Sequence, residues 1–160
     1  METTVLVYDI LNKYDKGTKT FLQKTVYFTT FHESFEPTIY GMHSPIVQRI
    51  GFAFDRYPKI YKKKAKYIYI YYVDIEEFIE GLISFVPHGE DIVLLSKIVH
   101  LVRSWENKNG RLLKQIDEDF INRAILLGWE KDLERINEEL LLQYINFYYS
   151  IPEFERMVEL

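Results

Sequence analysis

Two regimes of hydrophobic patterning divide this chain. Up to about Asp74 the apolar residues fall in short β-branched or alternating runs; beyond it they recur every three or four positions. Thr3 to Leu11 (TTVLVYDIL) reads as a strand, and Asn12 to Gly17 supplies a turn. Lys19 to Phe31 alternates, with Leu22, Val26 and Phe28 on one face, and completes a hairpin. Residues 32–48 carry Pro37, Gly41 and Pro45 and read as irregular. Ile46 to Phe54 suggests a third strand broken at Gly51, and Asp55 to Pro58 a turn, because a proline disfavours helix at the residue before it. Lys66 to Val73, with Tyr67, Tyr69 and Tyr71 alternating against Ile68, Ile70 and Tyr72, is the plainest strand pattern.

From Asp74 the period is helical. Ile75, Phe78, Ile79, Leu82 and Val86 form one stripe, with Asp74 and Glu77 placed as a capping box. A second helix follows from Asp91 to about Trp105, stopped by Asn109-Gly110. A third runs from Leu112 to Leu127, and a fourth buries Leu133, Ile136, Leu140, Tyr144 and Phe147. Ser150 to Glu153 looks like the cap of a short terminal helix. The expected fold is a single α+β domain over residues 1–160: a small antiparallel sheet in residues 1–74, mainly β, and a helical half in 75–160 packed on it.

Composition narrows the function. Cysteine is absent, which excludes disulfides, thiolate metal sites and cysteine nucleophiles. No apolar run is long enough to span a bilayer and the start lacks a secretory pattern, so a cytoplasmic protein without membrane attachment is expected, in the host cytoplasm if the source is viral. Low Gln with abundant Ile, Tyr, Lys and Glu fits either a hot environment or an AT-rich or viral genome.

The net charge of −4 hides an asymmetry. Residues 1–48 carry four basic and five acidic side chains, 49–66 seven basic and one acidic, and 67–160 nine basic and eighteen acidic. The local excess of cations runs into the tyrosines. Phosphate binding needs several cations on one surface, and tyrosine rings offer faces on which bases stack. The candidate nucleic-acid-binding set is therefore Arg56, Lys59, Lys62, Lys63, Lys64, Lys66, Tyr67, Tyr69 and Tyr71, with DNA or RNA as partner. A solvated loop that protects an edge strand, neutralised by the acidic half, is the competing structural explanation.

Other chemistry is thinner. His32, Glu33, Glu36 and His43 offer metal-type ligands without a recognised spacing, and HExxH is absent. Asp74, Glu76 and Glu77 could hold Mg²⁺, but a capping box and the helix dipole already explain them and are the preferred reading. Glu106 and Lys108 echo a nuclease pair in the wrong setting, and His100 lies with Ser96, Lys97, Arg103 and Ser104 on a polar helix face. No glycine-rich phosphate loop or nucleophile elbow occurs, so no catalytic residue, metal or cofactor is assigned. The surplus of apolar residues in Leu140 to Ile151 suggests a partner surface and a homo-oligomer. The sequence thus points first to a non-enzymatic nucleic-acid-binding protein. A protein-interaction module using the C-terminal aromatic helices comes second, and a metal-dependent nuclease or phosphoesterase third.

Overall fold

Helices dominate both halves of the chain. The computed structural model describes residues 2–154, and within them the order is α1 (Glu2–Lys13), α2 (Lys19–Thr30), β1 (Glu36–Thr38), β2 (Gly41–His43), α3 (Pro45–Arg56), α4 (Pro58–Tyr69), α5 (Asp74–Phe85), α6 (Gly89–Asn109), α7 (Glu118–Leu126), α8 (Glu130–Glu134) and α9 (Glu138–Ser150). The α+β class holds as a two-stranded antiparallel sheet in the N-terminal half with helices packed on it. The strands are not where the pattern placed them. Residues 3–11, 19–30, 46–54 and 66–69 are helical, and the sheet lies in the segment expected to be irregular. Residues 1–74 are accordingly mainly helix, not mainly β.

Burial explains the difference. Every residue of α1 from Thr3 to Tyr8, and every residue of α2 from Phe21 to Thr30, is buried. The helix α1 packs on α2, α3, α4 and α5, while α2 also meets α6 and β2. A helix enclosed on several sides shows no polar face, and its apolar run cannot be told from a strand by period. Thr18 caps α2 by accepting from Phe21 N at 3.2 Å, and Thr29 and Thr30 satisfy their hydroxyls on Val26 O.

The hairpin is held from both sides. Its register pairs Glu36 with His43, Pro37 with Met42 and Thr38 with Gly41. Gly41 has φ +88°, and a Cβ there would lie 2.4 Å from Ser96 Oγ of α6, so only glycine fits. Trp129 donates its indole N–H to Thr38 O at 2.8 Å, tying the turn to the C-terminal half. One buried cluster takes residues from α1 through Phe154.

The later helices follow the pattern more closely, though the third begins only at Glu118 and the expected fourth is split into α8 and α9. Val73, not Asp74, is the N-cap of α5 and makes no side-chain cap, so the expected capping box does not form. The helix α6 ends at Asn109 before Gly110. Asp117 caps α7 and Asn137 caps α9, each accepting from the amide three residues on. Residues 151–154 are irregular, and the rest of the short terminal helix expected there lies outside the described residues.

Candidate nucleic-acid interface

The basic stretch folds as the end of α3 and the whole of α4. Ser44 starts α3 by accepting from Val47 N, and Pro45 occupies the first turn, where a missing N–H is harmless. Tyr57 breaks the run, and Pro58 opens α4. The inward side of α4 is Tyr61, Ala65 and Ile68, spaced four and three, which pack toward α1 and α3. Tyr61 stacks on Phe54 with centroids 5.7 Å apart.

At 100° per residue the remaining positions, Tyr69 excepted, fall on the solvent side. Lys59, Lys62, Lys63 and Lys66 line one flank, Lys64 the other, and Ile60, Tyr67 and Tyr71 run between them. All six predicted cations, Arg56, Lys59, Lys62, Lys63, Lys64 and Lys66, are exposed. None of them forms an ion pair within 4 Å among the described residues. The one carboxylate of segment 49–66, Asp55, turns away from them. It accepts from Tyr8 Oη at 2.7 Å and pairs with Lys19. The acidic half therefore leaves the lysines unneutralised by direct contact.

The tyrosines divide. Helical spacing brings Tyr67 and Tyr71 together, with ring centroids 6.2 Å apart and an edge-on angle of 63°. They are 67% and 66% exposed. Tyr69, which a strand would place beside them, is half-buried instead and faces α1 and α5. The proposed ladder of three phenols is thus a pair, because period 3.6 separates what period 2 unites. Sequence reasoning passed over Arg49, Phe52, Tyr57, Ile60 and Ile70, which are also exposed on α3, α4 and their junctions. The spacing Ile60–Lys64–Tyr67–Tyr71 was the available signal. Arg56 lies over the Tyr57 ring at 5.6 Å and Lys19 over Phe52 at 5.2 Å.

The other candidates have structural partners. His32 Nδ1 accepts from Ser34 N and lies 2.8 Å from Ser34 Oγ, which in turn contacts Ser44 Oγ at 2.7 Å. That chain organises the start of α3, with Gln23 bonding both the N–H and C=O of Ser44. No group of three or more potential ligands gathers for a metal among the described residues. Glu76 pairs with Lys13 at 3.0 Å. Glu106 accepts from Leu113 N and Tyr149 Oη, while Lys108 pairs with Asp119, so the E-x-K pair splits.

The supposed polar face of α6 is largely interior. Ser96 and Lys97 are buried, and His100 is half-buried against Trp129, with ring centroids 5.8 Å apart. Burial, with Arg123 and Arg103 nearby, pushes His100 down to about 4. On α9, Phe147 packs on Phe28, Phe78 and Phe85, and Tyr148 on Phe31, so much of the apolar surplus is taken up inside the molecule.

Comparison with known proteins adds no precedent. No family model matches the chain, and no curated protein or solved structure is similar to it. No helix among the described residues is long and apolar enough to cross a membrane.

Proposed function

We propose that this chain binds single-stranded nucleic acid along the outer face of α4 and the end of α3. The observation that carries this reading is the exposed Tyr67–Tyr71 pair set between lysines that form no ion pair within 4 Å among the described residues. Lysines on both flanks suit a phosphate backbone passing along the helix, and the rings between them suit unstacked bases. Ile60, Tyr67 and Tyr71 lack the paired donors and acceptors that read duplex base edges, which favours a single strand over a major groove. No hydrolytic step is assigned, since the imidazoles and carboxylates are committed to structure or scattered.

The test is fluorescence anisotropy of labelled single-stranded RNA and DNA dodecamers over a range of salt. Binding with log K falling linearly in log salt is expected, at about −0.7 per phosphate neutralised. A slope near zero, or no binding at low salt, refutes the reading.

A further inference from the structure

A notch of about 310 Å³ opens between α1, α4 and α5, at the inner edge of the lysine row. Its walls are Asp9, Ile10 and Lys13 from α1, Lys62, Lys66 and Tyr69 from α4, and Glu76 from α5. We propose that this notch receives the 5′-phosphorylated end of an RNA strand lying along α4. The proposal rests on the nucleic-acid reading above and names which end, and which sugar, that surface prefers.

The charges are arranged for it. Lys62 and Lys66 stand one turn apart on α4, about 5–6 Å between Cβ atoms, and neither forms an ion pair within 4 Å among the described residues. Lys13 supplies a third ammonium, fixed by Glu76 Oε1 at 3.0 Å and Oε2 at 3.3 Å. A terminal phosphate monoester carries more charge than an internal diester and offers three free oxygens, which suits a wall lined by Lys62 and Lys66 with Lys13 beside them.

The acidic groups explain why an end, and why ribose. Asp9 is half-buried and Glu76 is largely shielded, so a second phosphate beside them would meet like charge. A ribose 2′-hydroxyl, by contrast, can donate to a carboxylate. Burial raises the Asp9 carboxyl, and Lys62 and Lys13 pull it back down. Ile10 and Tyr69 give the terminal sugar or base an apolar wall. Because Lys62 and Lys66 border both the notch and the outer row, a strand following Lys59 and Lys63 terminates here without turning.

The experiment compares an RNA dodecamer bearing a 5′-phosphate with the same strand bearing a 5′-hydroxyl, and with the DNA counterpart of each. Free AMP is titrated in parallel by calorimetry. The 5′-phosphate is expected to raise RNA affinity about tenfold, a preference lost in the exposed-site variant Lys62→Ala/Lys66→Ala. Lys63→Ala/Lys64→Ala should weaken both RNAs equally and leave the preference intact. Equal affinity for both ends, with both strands bound, overturns the notch while leaving the α4 reading standing. AMP bound through Lys62 and Lys66 with no strand bound supports the notch and overturns the α4 reading. A 5′-phosphate preference as large in DNA as in RNA removes the role given to the carboxylates.

Discussion

Lys97 Nζ on α6 lies 2.7 Å from Asp132 Oδ2 on α8 and 5.7 Å from the centre of the Trp129 ring. The lysine side chain is only 6% exposed, so the carboxylate is its principal counter-charge. Removing that carboxylate in Asp132→Ala strands a buried ammonium. Because Asp132 itself is partly exposed, the loss should be at the low end for such pairs, about 2–3 kcal/mol in urea unfolding. Lys97→Met in the same background should recover much of it. A loss below about 0.5 kcal/mol would mean that water already serves the lysine.

Lys24, which feels the charge of Lys97, has no such carboxylate partner among the described residues. Its ammonium donates to Met42 O at 3.0 Å, and burial together with Lys97 lowers it to about 8. Between about pH 8 and 10 the unfolded chain therefore holds a proton that the folded chain has released, and stability rises with pH. Above about pH 10 the sign reverses, since burial holds Tyr27 and Tyr144 up to about 12 and the unfolded phenols ionise first. Lys24→Met should flatten the rise and stabilise the protein at neutral pH by about 1–2 kcal/mol. Thermal unfolding between pH 7 and 11 measures both effects.

His100 makes a separate acid limb. Its folded value near 4 lies below the unfolded value of about 6.5, so the unfolded imidazole protonates first as the pH falls. Up to about 3 kcal/mol of stability present above pH 6.5 should be lost by pH 4. His100→Gln should remove most of this slope in that window, with carboxylate titration remaining below it.

Trp129 joins the hairpin to the helical half through one indole hydrogen bond and full burial. Trp129→Phe leaves Thr38 O without its donor and shortens the side chain. A loss of about 2–3 kcal/mol is expected, with faster amide exchange at Met42. Unchanged exchange there would show that Ser96 and Lys24 hold the strand on their own.

For the proposed interface, Tyr67→Ala and Tyr71→Ala should each weaken single-strand binding by about 1–3 kcal/mol while leaving the salt slope unchanged. Lys59→Ala, Lys63→Ala or Lys64→Ala should do the converse, lowering the slope by up to about 0.7 each. Tyr69→Phe should affect neither measurement strongly, because that ring faces inward. A loss from Tyr69→Phe as large as that from Tyr67→Ala would contradict the helical arrangement of the site.

The helical half was legible because α5 and α6 keep Ile75, Ile79, Leu82 and Leu95, Ile98, Val102, Trp105 on one side. The N-terminal helices were not, because Val5, Leu6, Val7 and Tyr8 are all buried and erase the period. In α4 the pattern Tyr61–Ala65–Ile68 was present but masked by Tyr or Ile at every position from 67 to 72. β-propensity describes a half-buried pleated surface, and here tertiary packing overrode it. The exposure of the six cations was legible from charge alone, since an ammonium or guanidinium group without a buried partner stays in water on helix or strand alike. The notch was invisible, because residues 9–13 and 62–76 meet only through the crossing of α1, α4 and α5.

The bracing of Asp55 by Tyr8 and Lys19 carries over to kinetics. It moors the corner between α3 and α4 to the two most enclosed helices, so the lysine row is presented ready-made instead of being ordered by its ligand. An arriving strand would bear nearly all of the ordering entropy itself. Association should accordingly be fast and steered by charge, slowing as salt is added, while residence time follows ring contact and stays nearly salt-independent.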